Sequence, residues 1–332
     1  MSQVRTDQFA VFGHRGASGY RPEHTLESYA LAARLGADYV EPDLVPTRDG
    51  VLVCRHENEI STTTDVAARP EFADRRTTKV VDGVAATGWF TEDFELAELR
   101  ALRAVERIPQ LRPANTAHDG RHGVPTFQEV LDLAEALTAE LGRPIGVAPE
   151  TKHPGHFARA GLALEPALVA ALDRNGLNRA GARVVVQSFE VGNLRALGDV
   201  VDVPLLQLLA DAGAPQDLVE AGDPRTYADL STPEGLRGIA AHADYVGPDA
   251  GLVLPTDDHG FLTAPTRLVD DAQNAGLRVL PYTVRAENAF LPADFRSGGP
   301  PAEHGDVRGY HAALREQGID AVFTDHPDTA RG

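Results

Sequence analysis

Apolar and polar positions along this chain repeat one phrase: a helical stretch, a glycine, a short apolar run, then polar residues. The first apolar run, residues 9–12, reads as a strand ending at Gly13-His14-Arg15-Gly16. Thr25 then opens a helix in which Leu26, Tyr29, Ala30 and Ala33 share a face, and Gly36 closes it. A second strand, 39–43, ends in Glu41-Pro42-Asp43, where a period of two sets both carboxylates on the same side. Asp49-Gly50 predicts a hairpin turn into residues 51–54, followed by His56.

Between about residues 57 and 124 the phrase disappears. This stretch is polar, mixed in charge and holds the single tryptophan, Trp89, so we expect an insertion serving as lid or pocket wall. Thr126 and Glu129 then form a capping box for a helix with Phe127, Val130, Leu131 and Ala134 on one face and Gly142 at its end. Further strands are predicted at 145–150, 184–187, 205–208, 245–246, 279–284 and 321–325, with feature-poor insertions at 211–240 and 288–305. Eight strands alternating with helices, and polar residues after each strand, favour a (β/α)8 TIM barrel whose active site lies at the strand C-termini. A doubly wound open sheet is the competing arrangement. The rhythm continues on both sides of each excursion, which makes residues 1–332 one domain with an insertion at about 57–124.

Composition narrows the partners. A net charge of −18 over 332 residues argues against nucleic acid and anionic lipid surfaces, but a local cluster of cations can still hold an anionic small molecule. The lone cysteine, Cys54, excludes an intramolecular disulfide and a thiolate zinc cluster. Residues 1–9 lack a signal-peptide core, and no run suggests a membrane span. The chain as it stands reads as cytoplasmic, or as secreted or periplasmic if a leader has been removed. Oligomeric state is not readable.

The candidate chemistry sits at strand ends. Glu41, Asp43 and Glu150 offer a hard, all-oxygen set suited to Ca²⁺ or Mg²⁺ rather than zinc; one such acid alone would more often cap a turn or pair with an arginine. Of twelve histidines, His14 and His56 are the acid–base candidates. His24 reads as structural, and His118, His242 and His304 as exposed polar residues. Arg15 and Lys152 are candidate phosphate clamps, although a surface ion pair is an equal reading of Lys152 by spacing alone. Gln187, Phe189, Tyr282 and Asp325 end other strands. Glycines 13, 16 and 19 resemble a phosphate-cradling loop weakly, and there is no Walker or G-x-S-x-G pattern.

Taken in order, H-R-G at 14–16, P-E-H-T at 22–25, G-A-D-Y-V-E-P-D at 36–43, T-R-D-G at 47–50 before His56, and T-T-D-V at 63–66 resemble the glycerophosphodiester phosphodiesterase family. So do E-T-K at 150–152, Q-S-F at 187–189, Y-T-V at 282–284 and T-D-H-P at 324–327. The insertion and V-G-P-D at 246–249 are similar to its calcium-dependent periplasmic type. The resemblance implies a (β/α)8 barrel hydrolysing glycerophosphodiesters to glycerol 3-phosphate and an alcohol. By the same resemblance His14 and His56 are the acid–base pair, Arg15 and Lys152 bind phosphate, and Glu41, Asp43 and Glu150 hold the divalent cation. Gln187, Phe189 and Tyr282 are further substrate contacts. The same site acting on lysophospholipids or a polymeric glycerol phosphate such as teichoic acid is the alternative. Glu57, where the family has aspartate, and Pro42 between two acids are the departures.

Overall fold

Eight short parallel strands close on themselves in a computed structural model that describes residues 9–331. In chain order they begin with Ala10–His14, then Tyr39–Glu41 continued past Pro42 as Asp43–Pro46. The third is Gly146–Val147 with Glu150–Thr151, the fourth Val186–Ser188, the fifth Leu205–Leu209 and the sixth Tyr245–Pro248. The seventh is Arg278–Val279, extended by bridges at Tyr282 and Val284, and the eighth is Ala321–Thr324. The eighth strand pairs with the first through Ala10↔Ala321 to Gly13↔Thr324, and Val284↔Thr324 joins the seventh to the eighth. That closure selects the barrel over the open sheet.

Local sequence explains the helices that hold the strands. Thr25 Oγ1 accepts from Ser28 N at 3.1 Å and starts Leu26–Arg34. Thr126 and Glu129 cap each other's backbone at the start of Phe127–Leu141, and Gly142 ends it in the left-handed region at φ 62°. Inside the barrel, Phe12, Ala148, Val185, Leu206, Leu208, Leu280, Ala321 and Phe323 form a small plug, with Phe12 stacked on Tyr39 at 4.3 Å. The larger apolar core lies between strands and helices.

The irregular stretches carry more structure than their sequence suggests. Residues 211–240 contain three helices, Gln216–Ala221, Tyr227–Leu230 and Pro233–Ile239; each spans only one or two turns, too short for a legible period. The 57–124 insertion holds a hairpin, Thr77–Val81 with Val84–Gly88, turned by Asp82 and Gly83, both at positive φ. No helix among the described residues is long and apolar enough to cross a membrane.

Candidate active site

Strand register assembles the site. His14 lies beside Glu41, Asp43 beside Glu150, and Glu150 beside Gln187, all at the C-terminal mouth. A cavity of about 100 Å³ there is lined by His14, Arg15, Glu41, His56, Glu150, Gln187, Phe189 and Tyr282, with Thr283 and Arg285. Asp43 and Lys152 sit just behind this lining, so all ten residues singled out in the sequence converge. A larger cavity of about 560 Å³ lies at the opposite mouth, among the strand starts, and contains none of them.

One oxygen from each of Glu41, Asp43 and Glu150 lies within 4.8 Å of the other two. Glu41 Oε2 accepts from Arg15 N at 2.7 Å, and Asp43 Oδ2 accepts from His24 Nε2 at 2.8 Å. Asp43 Oδ1 is buried without a partner. Burial, then Asp43, pushes Glu41 well above the usual carboxylate range. Burial also lifts Glu150 to about 8; Lys152 opposes that rise and Asp43 adds to it. Three crowded carboxyls with an orphaned oxygen fit a hard divalent cation, which all-oxygen donors suit.

Both candidate histidines are held through Nδ1. His14 Nδ1 lies 2.6 Å from Asp325 Oδ1, and His56 Nδ1 lies 2.9 Å from Glu57 Oε1. With the proton on Nδ1 donated to the carboxylate, Nε2 of each ring carries the lone pair. His14 Nε2 is 3.5 Å from Thr283 Oγ1, and His56 Nε2 accepts from Lys152 Nζ at 3.3 Å. Burial, reinforced by Arg15, lowers His14 to about 4; burial, Arg15 and Lys152 lower His56 to about 3. Both shifts favour the neutral ring.

The clamps are partly engaged. Arg15 Nη1 donates to both oxygens of Glu23 at 3.1 Å, while among the described residues its Nη2 donates to nothing. Lys152 Nζ bridges Glu150 Oε1, at 2.9 Å, and His56; it is a buried group, not a surface pair. Gln187 Nε2 donates to Glu41 Oε1 at 3.2 Å and Ala148 O at 3.0 Å, orienting a carboxylate. The Tyr282 hydroxyl donates to Leu209 O at 3.0 Å, so only its ring faces the cavity, edge-on to Phe189.

His24 is fully buried between Asp43 and Tyr29, as a structural group should be. His304 is exposed, but His118 and His242 are only partly so. His242 is tucked against Gln207 Oε1 at 3.4 Å by the short helices the sequence did not reveal. The glycine-rich start serves close packing: a Cβ on Gly16 would meet Ser28 at 2.4 Å, and one on Gly19 would enter the His326 ring.

Several contributors make contacts that no local signal in the sequence indicates. Asp325 Oδ2 accepts from Arg112 Nη2 at 2.5 Å and Arg285 Nε at 3.0 Å. Burial opposes its ionisation, yet Arg112, Arg285 and His14 hold it well below the usual range. Glu57 Oε2 meets His153 Nε2 at 3.0 Å, and His153 Nδ1 meets Asp82 Oδ2 at 2.5 Å. Burial disfavours charge on His153, but Asp82 and Glu57 raise it to about 9. Arg112 and Asp82 both come from the 57–124 insertion, which braces the carboxylate partner of each histidine. T-D-H-P contained Asp325, but nothing in it indicated a contact with residue 112.

Comparison with known proteins agrees with this fold. The family profile described as "Glycerophosphoryl diester phosphodiesterase family" matches residues 14–329. A glycerophosphodiester phosphodiesterase of Arabidopsis thaliana is 32% identical, with 97% of this chain and 85% of that protein aligned. One from Haemophilus influenzae is 30% identical, over 99% and 90% respectively. Among solved structures, a glycerophosphodiester phosphodiesterase from Agrobacterium tumefaciens superposes with a TM-score of 0.58 at 16% identity, covering 97% of this chain and 99% of the other. An Oleispira antarctica phosphodiesterase in complex with the product sn-glycerol-3-phosphate gives 0.57 at 19% identity, over 97% and 94%. Profile, relatives and barrel coincide over nearly the whole length, and the chain belongs to the glycerophosphoryl diester phosphodiesterase family.

Proposed function

We propose that this chain, acting as one catalytic domain, hydrolyses glycerophosphodiesters to glycerol 3-phosphate and an alcohol, with His14 and His56 as the acid–base pair. The observation that carries this reading is the matched support of two imidazoles, each anchored through Nδ1, around one small cavity beside three carboxyls. The Oleispira protein's complex with sn-glycerol-3-phosphate supports that product class.

In this reading one imidazole Nε2 takes the proton of the attacking oxygen, while the other ring, which has taken a proton from solvent on Nε2 before the step, gives that proton to the departing alcohol. When the neighbouring glycerol hydroxyl is the attacking group, a cyclic phosphate forms, and water then opens it with the proton roles reversed. Asp325 and Glu57 stabilise each imidazolium as it forms. Arg15 Nη2 and Lys152 Nζ face the negative phosphoryl oxygens. Glu41, Asp43 and Glu150 would hold the cation, Ca²⁺ favoured and Mg²⁺ the alternative; when bound it supplies Lewis acidity and charge stabilisation. Phe189 and Tyr282 give the cavity an apolar wall for the carbon edge of glycerol.

A coupled assay of glycerol 3-phosphate release from several head groups, with Ca²⁺, with Mg²⁺ and after exhaustive chelation, tests the whole reading. Release that requires the cation is expected. Turnover indifferent to chelation contradicts the metal assignment, and no release from any head group contradicts the activity.

A further inference from the structure

The cavity that collects the catalytic residues is small, about 100 Å³. A second cavity of about 340 Å³ adjoins it, and Tyr282, Thr283 and Arg285 line both. Thr283 is also the neighbour of His14 Nε2, so the shared wall lies on the His14 side of the site.

The charged residues lining the second cavity are two guanidiniums, Arg285 and Arg296, and one carboxylate, Asp249. Arg285 is fixed by its Nε bond to Asp325 and by the Phe290 ring, 4.8 Å beneath it. Arg296 is fixed by its Nε bond to Leu291 O at 2.9 Å. Among the described residues the Nη groups of both donate to nothing, which leaves two guanidinium forks with unused donors on the cavity lining. Asp249 Oδ1 is already engaged by Gly251 N at 2.8 Å. Arg285 is crowded by like charge: burial and the nearby Arg15, Arg112 and Arg107 lower its pKa against the pull of Asp325. An anion beside it would relieve that repulsion. Arginine pairs meet phosphate and carboxylate with parallel N–H donors.

We propose that this second cavity receives the alcohol half of the diester and selects alcohols bearing an anionic group, phosphate or carboxylate, over otherwise matched alcohols without one. The proposal rests on the phosphodiesterase reading and adds a specificity determinant to it. It places the departing oxygen next to His14, which, protonated on Nε2 from solvent beforehand, gives its proton to that oxygen.

Two matched substrate pairs test it. Bis(glycerophospho)glycerol and glycerophosphoglycerol differ by a glycerophosphoryl group, and so by one phosphodiester charge, on the departing glycerol; glycerophosphoserine and glycerophosphoethanolamine differ by a carboxylate. In the cation-loaded enzyme, kcat/KM should favour the anionic member of at least one pair by roughly tenfold, after allowing for the two equivalent diesters of the first compound. The pair that shows the preference identifies phosphate or carboxylate as the recognised group. Arg296→Gln should bring that ratio close to one. So should Thr256→Asp, which puts a negative charge into the same wall where Thr256 makes no side-chain hydrogen bond among the described residues. Both positions lie outside the barrel strands, and circular dichroism checks that each variant is folded. Ratios near one in the unmodified enzyme, or a preference that survives both substitutions, overturn the proposal while leaving the phosphodiesterase reading intact. No turnover of any of the four compounds overturns both.

Discussion

Arg112 and Asp325, separated by 213 positions, meet through a 2.5 Å bond in which Nη2 donates to Oδ2, while the other oxygen of Asp325 holds His14 at 2.6 Å. Arg112 also donates Nε to Glu287 Oε1 at 2.5 Å and Nη1 to Ser18 O at 2.9 Å. One guanidinium from an irregular insertion thus ties the eighth strand's end to the loop after the first.

The Arg112–Asp325 pair separates positioning from stability. Asp325→Asn keeps the shape but removes the anion that fixes the His14 tautomer; kcat should fall on the order of 10²-fold or more with KM little changed. Arg112→Ala leaves the buried Glu287 without its cation and Asp325 with Arg285 alone. Urea unfolding should register a loss of about 3–5 kcal/mol, the cost of breaking a buried pair from one side.

The Asp82–His153–Glu57 chain supports the other ring at a distance. Asp82→Ala removes one of the two acids that raise His153 to about 9. His153 should then titrate closer to its ordinary value, and kcat should drop roughly tenfold, with activity fading at a lower alkaline pH than before. A pH–rate profile of folded Asp82→Ala checks this; an unchanged profile contradicts the brace.

The acid trio predicts a cation-dependent melting temperature. Saturating Ca²⁺ or Mg²⁺ at about 100 times Kd should stabilise the folded chain by about 2.7 kcal/mol. Asp43→Asn and Glu150→Gln should each abolish the rise, and calorimetric titration should lose the binding heat. Retention of the full rise in both variants contradicts the assignment.

Buried histidines set the acid limit. His14 and His326 are lowered to about 4 and His311 to about 3, each chiefly by burial. Between those values and the ordinary 6.5, the unfolded chain binds more protons than the folded one, so stability rises with pH across that window. Each ring should therefore cost up to about 1.4 kcal/mol for every full pH step from about 6.5 toward 4. His153, raised to about 9, acts with the opposite sign: its contribution is whole below about 6.5 and is lost as pH climbs through 9. Urea midpoints from pH 4 to 9, with His311→Gln flattening the acid limb, test the direction.

The sequence showed the parts of this molecule that repeat or obey a local period. Glu41 and Asp43 were visible because a strand alternates sides, and the register beside Glu150 completes the trio. The capping box at Thr126 and the turn at Asp49-Gly50 follow local rules, and both appear where they were expected. Arg112 and Asp82 were silent, and Glu57 stood out only as a departure from the family pattern, not as the partner of His153. Their contacts run through irregular loops, whose paths depend on the packed whole, so no spacing in the chain encodes them. The same holds for residues 211–240, whose helices are shorter than the pattern needed to see them.

The central claim is that His14 and His56 exchange protons with the two ends of one reacting phosphodiester. Single-turnover release of glycerol 3-phosphate from glycerophosphocholine, measured for His14→Ala, His56→Ala and the double variant with fold verified by circular dichroism, tests it most directly. Each single change should reduce the rate by about 10²–10⁴-fold, and the double variant should be scarcely slower than the worse single one, because the two rings act as a unit. A near-normal rate in either single variant would contradict the account.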